Sequence, residues 1–163
     1  MQYGNQKCIE GVCVINQNNI EGSIIFRENH KDKCVDITIS LKGIKPGLHG
    51  FHVHEFGDLR EGCKSACAHY NPFNKSHGGP NDKERHVGDL GNIKANNKGI
   101  VKTKMCDKLI KLRGKYSIIG RSIVIHEDED DLGRGGYPDS LTTGHAGSRI
   151  ACGIIGYSKN TRL

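Results

Sequence analysis

Three histidines fall within six positions of the stretch GLHGFHVHEF, residues 47–56: His49, His52 and His54. Imidazole is the commonest metal ligand among side chains. If residues 48–55 form a strand, side chains alternate across it, so His52 and His54 share one face while Phe51 and Val53 point into a core. His49 has the parity of Phe51 and Val53 and is read as structural, satisfying a buried hydrogen bond. A His-x-His pair on a strand can present two imidazoles to one metal ion, and is as often an ordinary surface pair.

Further donors strengthen the metal reading. The stretch HYNPFNKSHGGPNDKERHVGD spaces His69, His77, His86 and Asp89 at intervals of 8, 9 and 3. Three imidazoles and a carboxylate can close a tetrahedral zinc site, and zinc so held would pin a long loop that has no secondary structure of its own. IVIHE adds His126 on another strand, from which it can meet His52 and His54. Imidazole also suits copper, and a flattened nitrogen-rich set favours Cu(II).

The elements that must position these residues read as strands. Short β-rich runs recur at 8–15, 20–27, 34–41, 48–55, 99–105, 116–119, 122–126 and 150–157, separated by turn-prone NQNN, KPG and NNKG. CVDITISL alternates well, with Val35, Ile37, Ile39 and Leu41 on one face and Asp36, Thr38 and Ser40 on the other. Nothing sustains a helical period. Short strands and 22 glycines in 163 residues point to an all-β sandwich or barrel. Without linker or repeat, residues 1–163 are expected to form a single domain. Two long stretches, 57–89 and 127–148, break the strand rhythm; loops of that length are usually functional or disordered, and the regular placement of histidines favours function.

Composition excludes little. The net charge of +6 favours anionic partners of any size, and lysines thicken between Lys94 and Lys115. No nucleic-acid motif or interleaved aromatic accompanies them, so a solvated basic surface without a nucleic-acid partner is expected. No apolar run is long enough to span a bilayer, and MQYGNQKCIEGVCVI lacks a basic-then-apolar signal pattern. No membrane partner and a cytoplasmic location are therefore expected. Seven cysteines leave at least one unpaired in a monomer, and reduced thiols are the default for that location.

The motifs GLHGFHVHEFGD, HGGP, ERHVGDLGN, IIGRSIVIHE, DDLGRGG and GHAGSRIACGIIG run in order through residues 8–158. Together they resemble the motif set of intracellular copper–zinc superoxide dismutases. The resemblance implies an all-β, eight-stranded Greek-key β-barrel, flattened like an immunoglobulin-like sandwich, with two long functional loops. This enzyme is itself a standard member of the sandwich architectures. The implied activity is disproportionation of superoxide to dioxygen and hydrogen peroxide by alternate reduction and oxidation of copper, with zinc structural.

Carried over by motif, copper would be held by His52, His54, His69 and His126, and zinc by His69, His77, His86 and Asp89, His69 serving both. A freed His69 nitrogen would carry a proton to product. Asp130 matches the carboxylate that links a copper histidine to a zinc histidine, leaving Glu127, Asp128 and Glu129 of EDEDD as a solvated charge run. Arg149 matches the arginine that receives the superoxide anion. Cys63 and Cys152 match the family's disulfide, which would also hold Arg149 in place.

Relatives of this type form homodimers through a patch matched by Ile119, Gly120, Ile154, Phe56 and Gly57, with Tyr157 replacing an aliphatic residue. A copper chaperone is the implied partner for metal loading. Departures from the family pattern are Cys67, two residues before His69, His145 where asparagine is usual, and Pro138 where an acid is common; they bear on steering rather than on the ligands. The rival readings are a non-catalytic copper carrier of the same fold and a zinc-stabilised basic binding module.

Overall fold

The computed structural model describes residues 8–162. Nine strands occur in chain order: β1 Glu10–Gln17, β2 Ile20–Asn29, β3 Cys34–Lys42, β4 Gly47–His54, β5 Arg60–Cys63, β6 Asp89–Ala95, β7 Ile100–Asp107, β8 Ser122–His126 and β9 Arg149–Tyr157. A 3-10 turn, Lys64–Ala66, follows β5, and a single-turn helix, α1 Ser140–Thr143, lies in the last long loop. Eight of the strands form one antiparallel sheet in the order β6-β4-β8-β9-β1-β2-β3-β7. The chain leaves β3 to start the other half at β4 and returns at β7 to pair with β3, which is the Greek-key crossing. A tight turn at 96–99 joins β6 to β7 and so brings the two ends of the sheet together.

Alternation decides which faces meet. On β3, Val35, Ile37, Ile39 and Leu41 are buried, and Ile24, Phe26, Phe51, Val53, Ile93, Ile123 and Ile125 complete the same core. Phe51 and Val53 are wholly inside, so His52 and His54 leave the barrel on its outer face. There the long loops cover them. His49 is buried as well, and both of its ring nitrogens meet backbone oxygens, Nδ1 at 2.9 Å from the His126 carbonyl and Nε2 at 2.7 Å from that of Lys45.

Three features differ from the sequence reading. Residues 116–119 are not a strand; they make an isolated bridge between Lys111 and Ser117 and a backbone hydrogen bond from Ile118 to the Lys111 carbonyl, and the wider segment 110–118 buries Ile110, Leu112 and Ile118 in the core. β6 was hidden because its pairing with β4 shifts register between Gly50 and His52. A bulge spoils the period-2 pattern from which a strand is read. Lastly, reduced thiols are not the rule: besides Cys63–Cys152, a second disulfide joins Cys34 of β3 to Cys106 of β7. Cys8, Cys13 and Cys67 are free.

The loops are ordered by the barrel they cover. Val53, Tyr70 and Gly88 exchange backbone hydrogen bonds of 2.8–2.9 Å, laying residues 70 and 88 beside β4. A Cβ at Gly88 would sit 2.1 Å from the Val53 carbonyl oxygen, so only glycine allows this approach. The Cys63–Cys152 bridge packs with Ala66, Val124 and Leu59 in a small second cluster under the first loop. No helix among the described residues is long and apolar enough to cross a membrane.

Candidate metal centre

Three strands and the first long loop deliver the donor side chains to one place. β4 supplies His52 and His54; β8 ends at His126, where the β8–β9 register shifts; and His69 is tied beside His54 by an isolated bridge. These four residues, all buried, bring ligand atoms within 4.8 Å of one another. His126 Nε2 lies 3.5 Å from His54 Nε2. The first long loop brings His77, His86 and Asp89 to the other side of His69, forming a second buried set with the same compactness.

The second set converges on one point. The Nδ1 atoms of His69, His77 and His86 lie 2.9, 3.0 and 3.1 Å from a single oxygen, Asp89 Oδ1, and His86 Nδ1 is 3.3 Å from His69 Nδ1. A tetrahedron with bonds of about 2.0 Å has edges of about 3.3 Å, so a zinc ion fits among them with little movement. Asp89 Oδ2 is meanwhile held by the backbone N–H groups of His86 (2.7 Å) and Gly78 (3.1 Å).

The outer hydrogen bonds decide which ring nitrogen faces inward. His52 Nε2 donates to Asp130 Oδ2 at 2.6 Å, and His77 Nε2 donates to Asp130 Oδ1 at 2.8 Å. One carboxylate thus orients a ring from each set. His54 Nδ1 donates to the Cys67 carbonyl at 2.8 Å and His126 Nδ1 to that of Gly147 at 3.1 Å, which leaves Nε2 of both facing the interior. Among the described residues, three buried side-chain nitrogens have no hydrogen-bond partner: His52 Nδ1, His69 Nε2 and His77 Nδ1. His77 Nδ1 is within 3.0 Å of Asp89 Oδ1, but the angle makes no hydrogen bond. Buried polar atoms are rarely left unpaired, and these three are the atoms that metal ions would complete. His69 turns Nδ1 to one set and its unpartnered Nε2 to the other, so the residues fit both copper and zinc.

Electrostatics agree with this division. Burial holds the protonation of His52, His54 and His69 below the usual imidazole range, and takes His126 down to about 4. Those rings keep a free lone pair at neutral pH, as ligation requires. His77 is pulled down by burial, but its hydrogen bond to Asp130 and the nearby Asp89 carboxylate outweigh that and raise it to about 9. Burial opposes the ionised form of Asp89, yet its contacts with His69, His77 and His86 hold it far below the ordinary carboxylate range.

The remaining predicted residues fall around this centre. Asp130 is buried, whereas Glu127, Asp128 and Glu129 are exposed. Arg149 is half-buried at the start of β9 and donates from Nη1 to the Cys63 carbonyl at 2.8 Å; burial lowers its pKa from the ordinary guanidinium value, and its charge depresses His54 and His126. Cys67 is exposed, with φ of 60° and ψ of −140°, a conformation suited to glycine. His145 is exposed, bonded through Nδ1 to Asp139 at 2.7 Å and stacked on Tyr137 with ring centres 3.7 Å apart.

Asn92 is a residue that sequence reasoning missed. Its side chain accepts from the Asp130 N–H (2.7 Å) and donates to the Asp130 carbonyl (2.9 Å), fixing the carboxylate that orients two rings. Its place in the motif ERHVGDLGN was the available signal.

Comparison with known proteins gives the same picture. A family model described as copper/zinc superoxide dismutase matches residues 20–155. Superoxide dismutase [Cu-Zn] 5 of Dictyostelium discoideum is 54% identical over 151 residues, covering 93% of this chain and 99% of that protein. The extracellular superoxide dismutase [Cu-Zn] of Drosophila melanogaster is 53% identical over 137 residues, 84% of this chain and 76% of that one. A solved structure titled as the clock protein EA4 superposes with a TM-score of 0.89 at 43% identity, over 97% of this chain and all of that one.

Proposed function

The chain belongs to the copper/zinc superoxide dismutase family, is an oxidoreductase that disproportionates superoxide to dioxygen and hydrogen peroxide, and, we propose, does so with copper on His52, His54, His69 and His126 beside zinc on His69, His77, His86 and Asp89. The observation that carries this assignment is the set of three orphaned ring nitrogens, one in each donor set and one on the residue both sets share. When bound, copper supplies the one-electron couple that superoxide can both reduce and oxidise, and zinc supplies fixed charge and loop closure.

The chain's own residues do the rest. The carbonyls of Cys67 and Gly147 and the carboxylate of Asp130 hold three rings in the tautomer that turns a lone pair inward. Arg149 keeps its charge and, with one N–H spent on Cys63, has donors left to orient a small dioxygen anion. His69, fixed at Nδ1 towards Asp89, can hold a proton at Nε2 for the departing product.

Further readings are part of the same proposal. Residues 1–163 act as a single domain, supported by one continuous sheet with one main core. Two copies pair through Phe56 and Ile154, both nearly half exposed, with Ile119, Gly120 and Gly57; sedimentation tests this. A copper chaperone loads the metal, tested by loading with and without one. Cytoplasmic residence follows from the intracellular motif set and is tested by fractionation.

The decisive experiment measures superoxide loss by copper- and zinc-loaded protein beside the metal-free form and a His126→Ala variant. Fast loss confined to the loaded parent is expected. A loaded protein that binds both metals and leaves superoxide untouched would instead be the copper carrier of the same fold.

A further inference from the structure

The β1–β2 hairpin turns on Asn18 and Asn19, at φ of 54° and 64°, the left-handed pair of a type I′ turn for which asparagine is suited. Backbone pairing of β1 with β9 covers Gly11–Cys13 against Ile155–Tyr157. Farther along, the strands still approach closely, since a Cβ at Gly153 would lie 2.3 Å from the Val14 carbonyl oxygen. Side-chain amides continue the seam from there. Gln17 Oε1 accepts from the Cys152 N–H at 3.0 Å, and Asn18 Nδ2 donates to the Ile150 carbonyl at 2.8 Å.

The same Gln17 oxygen lies 3.4 Å from Cys63 Sγ and 3.3 Å from Cys152 Sγ. Bridged sulfurs carry no hydrogen, so these are packing contacts, and the oxygen covers the bridge. The Cys63 carbonyl in turn accepts from Arg149. One line of contacts therefore runs from Gln17 through the disulfide to the arginine. The other bridge is more open: one carboxylate oxygen, Asp36 Oδ1, lies 3.7 Å from Cys34 Sγ, and Cys106 is exposed on β7.

We infer that Gln17 is a positioning residue that shields the Cys63–Cys152 bridge from thiols and, through the bridge, holds Arg149. Reduction requires a thiolate to reach a bridge sulfur, form a mixed disulfide and release the other sulfur as a thiolate; its rate depends on access. An amide oxygen against both sulfurs closes one approach and opposes an incoming anion there. Only the link to turnover rests on the reading of Arg149 given above; the shielding stands on geometry alone.

The test exposes the copper- and zinc-loaded parent, Gln17→Ala, Gln17→Leu and Gln17→Glu to excess dithiol under native conditions. Alkylation and peptide mapping then follow each bridge separately. Cys34–Cys106 serves as the control within each molecule. For Gln17→Ala, the expected result is at least tenfold faster loss of Cys63–Cys152, with the Cys34–Cys106 rate within twofold of the parent. Gln17→Leu, which keeps bulk without an acceptor, falls between, and Gln17→Glu stays near the parent. Dismutase activity decays in step with the Cys63–Cys152 bridge. Parental rates in Gln17→Ala, or equal acceleration of both bridges, would overturn the shielding; activity that outlives the bridge would overturn the hold on Arg149. Inactivity of the loaded parent before any dithiol would count against the proposed function and leave the bridge rates readable.

Discussion

Replacing Asp130 with asparagine tests the orientation of the proposed metal ligands without changing shape. The carboxylate accepts from both His52 Nε2 and His77 Nε2, from a position with no solvent exposure of the side chain. An asparagine has one acceptor oxygen and one donor NH2, so whichever way the amide turns, its NH2 meets one ring's N–H. That ring must move its proton to Nδ1, the atom left unpartnered in both residues, and a metal must displace it there. Each lost hydrogen bond to a charged group is worth about 1.5–3 kcal/mol. Loss of an outer partner typically costs about 10–100-fold in metal affinity, or about 1.4–2.7 kcal/mol, and the two estimates agree. Competition of metal-free Asp130→Asn with a chromophoric chelator, for zinc and for Cu(II) separately, should show one centre weakened by that factor and the other by less. The weakened centre reports which way the amide turned. If a folded variant binds both metals within twofold of the parent, the orientation argument is refuted.

Three further outcomes are expected. Metal-free protein should lose stability as pH falls from about 6.5 to 4, because His52, His54, His69 and His126 are held neutral while the unfolded chain takes up protons; the slope is about 1.4 kcal/mol per pH unit for each. His77, raised to about 9, works the other way, adding stability below about 6.5 that is lost as pH rises through 9; urea midpoints across pH would show both limbs, and a flat acid limb would contradict them. Removing the Cys34–Cys106 bridge with paired serine substitutions opens a loop of 72 residues and should cost about 4 kcal/mol in the chain-entropy view, read by denaturant unfolding with the other bridge intact. Arg149→Gln should lower the second-order rate by about tenfold or more and flatten its salt dependence, superoxide dismutases being a standard case of electrostatic steering; an unchanged salt slope in stopped-flow assays would remove Arg149 from that role.

Local patterning made much of this legible, and non-local pairing hid the remainder. The alternation of Val35, Ile37, Ile39 and Leu41 and the parity of Phe51 and Val53 against His52 and His54 are properties of single strands, and the fold repeats them. β6 was illegible because a bulge against β4 interrupts its period. Cys34–Cys106 depends on β3 lying beside β7, 72 residues away, and no spacing encodes that neighbour. Gln17 is similar: as one residue of a turn-prone NQNN it predicts a hairpin tip, while its place against the disulfide exists only once β9 has come alongside β1.

The two donor sets also differ in what holds them, which bears on the order in which the centre forms. His52, His54 and His126 stand on hydrogen-bonded strands of the sheet, so their placement comes with the barrel. His77 and His86 stand on the long loop, and Asp89 begins the strand that follows it. Backbone hydrogen bonds to β4 and the Cys63–Cys152 bridge hold parts of that loop, and a cation among the three imidazoles and the carboxylate would add the partner that His77 Nδ1 lacks. His69 belongs to the loop by sequence and to both sets by geometry. A zinc ion on His69 Nδ1 would steady the one residue of the proposed copper set that stands outside the sheet strands, adding to the backbone bridge that already ties it to His54; His52, His54 and His126 are placed by the barrel alone.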